Sequence, residues 1–149
     1  MSDEKISLAR ARICDWQKVL EFEMESKSRF FAALENGEQV KDYLSKSRVY
    51  LVKLGRESIG TVSFKPEGDS AYMDGLTICQ KHRGKGFAKI AMRLIMEKVR
   101  CFRRVYIRVH PQSTPAVMIY LKEGFKPVGW EDNHYGDNEP RLVMEKINK

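Results

Sequence analysis

The chain has 149 residues, of which 42% are apolar and 32% are charged, and its formal net charge is +7. This length and composition predict one domain, residues 1–149, with a real hydrophobic core, and they exclude an intrinsically disordered chain. No apolar run is long enough to span a bilayer, and the start MSDEKISLARAR lacks the apolar centre of a signal peptide, so we expect a cytoplasmic protein with no membrane partner.

The N-terminal third predicts an edge strand followed by helices. The segment KISLARAR (5–12) alternates weakly between apolar and polar residues, as an edge strand does. Asp15 precedes a helical pattern of apolar residues that continues to Leu34, and Asn36-Gly37 predicts the end of this helix. The segment EQVKDYLSKS then predicts a short second helix.

The middle of the chain predicts three consecutive strands. They are RVYLVKL (48–54), SIGTVSFK (58–65) and SAYMDGLTIC (70–79). The segments LGRES and KPEGD between them contain the residues that turns require. We therefore expect the strands to pair in sequence order.

The C-terminal half alternates helices and strands. A helix is predicted over 85–99, a strand over 103–110, and a further helix from Thr114-Pro115 to Gly124. Two strands, 125–130 and 141–147, complete the chain. This order predicts an α/β (α+β) fold: a mixed, mostly antiparallel central sheet of about seven strands with helices on both faces.

Cysteines and histidines indicate neither a disulfide framework nor a metal site. Cys14, Cys79 and Cys101 are odd in number and lack CxxC spacing, so we interpret them as reduced thiols in the core. The three histidines have no spacing typical of metal ligands. We expect no bound metal.

The segment QKHRGKGFAKIAM (80–92) places two glycines among basic residues immediately before a predicted helix. Free N–H groups and the dipole at a helix start attract anions, and Gly84 and Gly86 would let a phosphate approach the main chain. Arg83 and Lys85 would add full charges. An ordinary basic turn is the alternative. Walker and dinucleotide loops do not fit, because neither glycine pattern is complete and Lys89 stands where a small residue is needed.

The residues around this loop resemble a known signature. Leu76-Thr77-Ile78, five further residues and then RGKGFA (83–88) resemble the L-x-V and R/Q-x-x-G-x-G/A motifs of the GNAT superfamily of acyl-CoA-dependent N-acyltransferases. The segment STPAVMIYLKEGF (113–125) is similar to that family's N-x-x-A-x-x-x-Y-x-x-x-G-F motif. Ser113 stands where the family usually has Asn, so a Ser113 contact with the cofactor would be shorter. The strand and helix order also fits, and the resemblance covers nearly the whole chain.

The resemblance implies acetyl-CoA as the acyl donor and a primary amine as the acceptor, which attacks directly in a ternary complex. It implies that the central strands separate beside the pantetheine, where a main-chain N–H would stabilise the thioester oxyanion by about 3 kcal/mol. Direct attack requires no nucleophilic side chain. The residues assigned to acetyl-CoA are Leu76, Thr77 and Ile78 for the pantetheine, Arg83, Gly84, Lys85, Gly86, Phe87 and Ala88 for the pyrophosphate, and Ser113.

Two side chains are assigned catalytic roles by the resemblance. Tyr120 would be the acid that protonates the leaving CoA thiolate, although its spacing also fits a core position on the helix. Asp74 would accept the ammonium proton directly or through water, although it could instead hold backbone groups or a neighbouring arginine. Weaker candidates for the base are Glu131, His110 and His134.

The resemblance places the acceptor between the first helical region and the last strand connection. The acidic and aromatic residues there could hold a cationic amine, although they also fit an amphipathic helix and a polar hairpin. A small amine or polyamine and a protein or peptide N-terminus, as for ribosomal-protein alanine acetyltransferases, both remain open. The residues are Glu21, Glu23, Glu25, Phe30, Phe31, Trp130, Glu131, Asp132, Tyr135, Asp137 and Glu139.

A non-catalytic binding module is the rival interpretation. Such a module would sense acyl-CoA or hold RNA on a basic face. Aromatic residues interleaved as in single-strand RNA binders are not evident, so we expect no nucleic-acid partner. The oligomeric state, monomer or homodimer, stays open.

Overall fold

A computed structural model describes residues 5–149 of the chain. The predicted single domain, 1–149, includes residues 1–4, which lie outside the described residues. Within the described part, no helix is long and apolar enough to cross a membrane.

The described residues form seven strands and four α-helices, and two 3₁₀ turns lie at Ile13–Asp15 and Gln80–His82. Most predicted bounds agree with these elements to within two residues. In chain order the elements are β1 (Ile6–Arg10), α1 (Trp16–Ser26), α2 (Gly37–Lys46), β2 (Arg48–Leu54), β3 (Glu57–Glu67), β4 (Ser70–Ile78), α3 (Phe87–Lys98), β5 (Arg104–Val109), α4 (Thr114–Lys122), β6 (Lys126–Glu131) and β7 (Arg141–Ile147).

The seven strands form one sheet in the order β1-β2-β3-β4-β5-β7-β6. Strand β4 runs parallel to β5, and every other neighbouring pair is antiparallel. This arrangement confirms the predicted mixed, mostly antiparallel sheet. It also places β1 at an edge, where the weak alternation of its sequence predicted it.

Helices cover both faces of the sheet, and the alternating directions of the side chains along β2 show why. Val49 and Leu51 pack with α1 and α2, whereas Tyr50 and Val52 face the opposite side. Successive side chains of a strand point to opposite faces, so an apolar strand such as β2 serves two cores. The larger core contains α3 and α4, because both helices turn an apolar stripe toward the sheet.

The prediction that the first helix continues to Leu34 is wrong. Helix α1 ends at Ser26, since Lys27 adopts φ −57° and ψ 126°, and a short bridge follows between Ser28 and Phe31. The segment is held back on α1 by a hydrogen bond of 2.9 Å from the Leu34 N–H to the Glu23 carboxylate. The helical spacing of the apolar residues after Ser26 is therefore not realised as helix.

The prediction that Asn36-Gly37 ends a helix is also wrong, because this pair starts one. The Asn36 side chain accepts a hydrogen bond of 2.9 Å from the Gln39 N–H and caps α2, whose first residue is Gly37. Asp15 does precede α1, but its carboxylate accepts from the Arg12 N–H at 2.8 Å and makes no cap bond to the helix. An Asn-Gly pair fits either helix end, so its neighbours decide.

Two of the three cysteines are not core residues, contrary to the prediction. All three thiols are free, but Cys14 and Cys101 are exposed and only Cys79 is half-buried. Cys14 lies in the 3₁₀ turn Ile13–Asp15, and Cys101 lies in the turn between α3 and β5.

Candidate active site

Strands β4 and β5 separate in the middle of the sheet. They pair over four residues, from Ser70 opposite Arg104 to Met73 opposite Ile107, and the pairing stops there. Beyond it, the edge of β4 from Asp74 to Ile78 has no neighbouring strand on the β5 side, while its other edge still pairs with β3. The predicted separation of the central strands is thus present beside Leu76-Thr77-Ile78.

A cleft of about 630 Å³ opens at this separation. Its walls come from α1 and the segment after it, from the unpaired ends of β4 and β5, and from α4. Residues predicted for the acetyl-CoA site and residues predicted for the acceptor site both line this cleft. Among the lining residues are Glu23, Phe31, Asp74, Leu76, Thr77, Ile78, Arg83, Ala88, Ser113 and Tyr120.

The loop at one end of the cleft is built for close approach to its main chain. Gly84 and Gly86 have φ values of 75° and 85°, and a Cβ added at either would meet nothing within 4 Å. Within residues 5–149, the N–H groups of residues 84–88 donate to no acceptor. Free N–H groups at the start of α3 beside open space suit an anion, and binding of the diphosphate here stays a prediction.

The basic side chains of this loop have different surroundings. The Arg83 Nε donates to the Ile78 carbonyl at 2.7 Å, and its Nη2 donates to the Ser26 hydroxyl at 3.3 Å. Lys85 is exposed and has no ion-pair partner in the described part of the chain. Arg83 therefore fastens the loop to β4 and α1, whereas Lys85 is available to a phosphate.

The signature residues of β4 divide between cleft and sheet. Leu76 is half-buried and lines the cleft. The Thr77 hydroxyl is buried and lies 2.7 Å from the Thr61 hydroxyl, so this side chain fastens β3 to β4. Thr77 thus contributes its main chain to the cleft, and Ile78 packs in the larger core.

Tyr120 combines both interpretations that the sequence allowed. Its ring is 5% exposed and packs against Phe125, with the ring centroids 6.0 Å apart. The Tyr120 hydroxyl has no hydrogen-bond partner among the described residues and is not sealed from solvent, so it opens to the cleft. Burial raises the pKa of Tyr120, which keeps the hydroxyl protonated near neutral pH.

Asp74 lies in the cleft wall, and both of its oxygens accept hydrogen bonds. The Ser63 hydroxyl donates to Oδ1 at 2.6 Å, and the Ser47 hydroxyl donates to Oδ2. Tyr43 in turn donates to Ser63. Burial raises the pKa of Asp74, and the two serine bonds oppose this shift only in part.

Glu23 is the functional candidate whose character the sequence did not reveal. Its side chain is 4% exposed, and burial raises the pKa of its carboxyl from 4.5 to about 7, although the Leu34 N–H bond lowers it. Asp74 adds a repulsive charge. In the sequence, Glu23 is only one of three acidic residues on a predicted helix. Its burial and the second carboxyl nearby depend on tertiary structure, so the sequence does not reveal them.

The weaker candidates for the base are already engaged. Arg108 donates to Glu131 at 2.6 Å, and this bond lowers the pKa of Glu131. The His110 Nδ1 accepts from the Gln112 N–H at 3.1 Å, while its Nε2 lies 2.7 Å from a Glu139 oxygen. Burial lowers the pKa of His134, whose Nδ1 faces Glu131 at 3.5 Å.

The predicted acceptor residues only partly converge. Glu23, Glu25, Phe30, Phe31 and Tyr135 line the cleft, and Tyr43 and Tyr72, which the prediction lacked, line it with them. Other predicted members lie outside the lining: Glu21, Trp130, Glu131, Asp132, Asp137 and Glu139. Glu139 nevertheless joins the two connections beside the cleft, since Arg29 donates to it at 3.1 Å.

The chain belongs to the acetyltransferase (GNAT) family, whose model matches residues 10–125. This match includes both signature segments and the strands that separate at the cleft. Acetyl-CoA is the acyl donor of this fold, and the protein is an acetyltransferase enzyme.

Solved structures of the same fold cover nearly the whole chain at low sequence identity. The ribosomal-protein-S18-alanine N-acetyltransferase from Escherichia coli is 12% identical over 97% of this chain and 96% of its own, with a TM-score of 0.80. The ribosomal L7/L12 alpha-N-protein acetyltransferase RimL, in complex with coenzyme A, is 15% identical over 99% and 96%, with a TM-score of 0.80. Mutant forms of the spermidine/spermine N-acetyltransferase SpeG from Vibrio cholerae are 18% identical over 96% and 95%, with a TM-score of 0.77. A search of curated proteins returned no significant match.

Proposed function

We propose that residues 1–149 form one N-acetyltransferase domain that moves the acetyl group of acetyl-CoA to a primary amine by direct attack. One observation carries the proposal: a single cleft connects the open glycine loop to a wall with buried carboxyl groups and the Tyr120 hydroxyl. Both substrates therefore have a place from which the thioester and the amine can meet.

The donor half follows from the loop and the free edge of β4. The N–H groups of residues 84–88 and the Lys85 charge suit the diphosphate of acetyl-CoA. The edge of β4 from Asp74 to Ile78 offers main-chain groups to the amide-containing pantetheine, and one N–H there would stabilise the oxyanion. Ser113 immediately precedes α4 at the cleft wall, and its short side chain can reach only a neighbouring group.

The chemical half assigns roles to two residues. Tyr120 protonates the departing CoA thiolate, because its hydroxyl opens to the cleft and stays protonated. Asp74 is one of the cleft carboxylates that can take the proton from the acceptor ammonium. This proton must be removed before attack, because an alkyl ammonium has a pKa of about 10.4.

The acceptor is a cationic amine. Buried carboxyls favour a positive charge, and Phe30, Phe31 and Tyr43 add aromatic faces that attract cations. A polyamine and a protein N-terminus both satisfy this chemistry. The fold neighbours include enzymes named for each, so the fold itself favours neither.

The test is release of CoA thiol from acetyl-CoA in the presence of polyamines, aminoglycosides, amino acids and short peptides. We expect turnover with one of these classes and a transferred acetyl group on its amine by mass spectrometry. Tight binding of acetyl-CoA with no amine-dependent thiol release would contradict the proposal and favour an acyl-CoA sensor.

A further inference from the structure

Glu23 stands apart from the other carboxylates of the chain by its position. It lies in the third turn of α1 between apolar residues of the smaller core, yet its carboxyl forms part of the cleft wall. Carboxylates are rarely buried without an ion pair. No lysine or arginine pairs with Glu23 in the described part of the chain.

The two oxygens of Glu23 are used differently. Oε1 accepts the Leu34 N–H at 2.9 Å, which fixes the carboxyl in orientation. Oε2 has no hydrogen-bond partner among the described residues and is not sealed from solvent, so it faces the open cleft. Asp74 differs, because a serine hydroxyl occupies each of its oxygens. Glu23 thus presents the freer basic oxygen to a bound amine.

The groups that face Glu23 come from three other segments. Asp74 of β4 and Tyr43 of α2 interact electrostatically with it, and Leu34 of the connection after α1 donates its N–H. Lys65 of β3 acts on Asp74. None of these places a cation against Glu23, so an ammonium entering the cleft would be its counterion.

We propose that Glu23 is the group that receives the proton from the acceptor ammonium, and that Asp74 is the neighbouring charge that sets when Glu23 can do so. The inference rests on the proposed acetyl transfer. It places the general base on α1, whereas the resemblance predicted Asp74 on β4.

The step balances with the groups at hand. The ammonium gives one proton to Glu23, and the free amine forms a C–N bond to the acetyl carbon. The C–S bond then breaks, and the thiolate takes the Tyr120 proton. The second nitrogen proton returns to the Tyr120 oxygen, and Glu23 later releases its proton to solvent. The products are the acetamide, CoA thiol and one proton.

The test compares Glu23→Gln with Asp74→Asn across pH. Spermidine and an alanine-first peptide are the probes, and kcat/KM is measured for whichever the wild type acetylates. For the wild type we expect a rise in kcat/KM with a midpoint near pH 7. Glu23→Gln should lower kcat/KM about 10²-fold at pH 7 and remove that midpoint. Asp74→Asn should keep the midpoint but move it to lower pH, because a repulsive charge is gone.

The reciprocal result would overturn the inference: Asp74→Asn abolishes the midpoint while Glu23→Gln only moves it. Glu23→Gln keeps an amide oxygen for the Leu34 N–H, and circular dichroism shows that it folds. Glu97→Gln, which changes an exposed glutamate of α3, is the matched control and should leave the profile unchanged. A wild type that acetylates no amine at all refutes the proposed function itself, so the two failures are distinct.

Discussion

Tyr120 illustrates how one side chain can serve both the core and the cleft. Its ring fills space beside Phe125, whereas its hydroxyl meets the open cleft. The ring supplies apolar burial, and removal of the oxygen alone leaves this packing intact. The two roles can therefore be separated by a single atom.

Tyr120→Phe should keep thermal stability and acetyl-CoA affinity but lower turnover by about 10²-fold, the scale of lost general-acid catalysis. Steady-state thiol release and calorimetric binding measure the two effects. Tyr50→Phe is the matched control, since Tyr50 lies outside the cleft lining. An unchanged turnover number, when chemistry limits the rate, would remove Tyr120 from the mechanism.

Glu23 also predicts a pH dependence of stability. Its pKa is about 7 in the folded chain against an ordinary 4.5, so between these values the native state binds more protons than the unfolded state. Folding stability therefore falls as pH rises through this window, by up to about 3 kcal/mol. Glu23→Gln has no such proton, so its stability relative to wild type should increase from pH 4.5 to pH 8 in urea unfolding. A constant difference across this range would contradict the raised pKa.

At the scale of elements, β3 and β4 approach so closely at Gly60 that no side chain fits. A Cβ there would lie 1.9 Å from the Thr77 carbonyl oxygen, within the segment that lines the cleft. At Gly129 in β6, a Cβ would meet Val143 at an ordinary 3.5 Å. The two glycines share strand geometry but differ in free space.

Gly60→Ala should destabilise the fold by about 1–3 kcal/mol or more, because the backbone of β4 must move. Gly129→Ala is the matched control and should cost less than about 1 kcal/mol. Chemical denaturation measures both free energies of unfolding. Equal losses of stability in the two variants would show that the close contact between Gly60 and β4 is relieved at no cost.

Gly86 of the glycine loop can be compared with Gly68, which should carry similar backbone strain but has no predicted role in binding. Gly86 and Gly68 both have positive φ, 85° and 64°, with open space around a Cβ. Alanine at either should cost about 1 kcal/mol in backbone strain. Only Gly86→Ala should weaken acetyl-CoA binding, measured by calorimetry, because only its Cβ enters the anion site. Equal affinities in the two variants would argue against a diphosphate there.

The sequence predicted the elements whose signals are local. Turn residues, the weak alternation of β1 and Pro115 at the start of α4 specify their own segments, and the two signature motifs located the loop and Tyr120. The extent of α1 was not predictable in this way. Its apolar spacing continues beyond Ser26, but the chain turns away at Lys27 and Leu34 bonds back to Glu23. Burial and the nearby Asp74, which raise the pKa of Glu23, are tertiary facts of the same kind, so the sequence revealed neither.

At the scale of the whole molecule, the basic residues behind the net charge of +7 are spread along the chain, and several of them form ion pairs. Arg104, Arg108 and Arg141 each bind a carboxylate. Paired charges attract polyanions less than a continuous basic face does. We therefore expect the glycine loop, with its free N–H groups, to be the better anion site.

Coenzyme A at about 100 times its Kd should stabilise the fold by about 2.7 kcal/mol. For a chain of this length, that corresponds to a rise in Tm of about 5–10 °C. A 20-nucleotide RNA at the same concentration should produce no shift in thermal unfolding. RNA stabilisation with a steep salt dependence, and none by coenzyme A, would favour the nucleic-acid module.

The short pairing of β4 with β5 has a mechanical consequence. Four residue pairs join the strands β1–β4 to the strands β5–β7, so the sheet has one hinge-like seam. A cofactor that bonds both to the free edge of β4 and to Ser113, which follows β5, would join the two parts of the sheet across that seam. Amide hydrogen exchange in β5 and β7, far from the glycine loop, should then slow when coenzyme A binds, since opening the sheet would require those bonds to break.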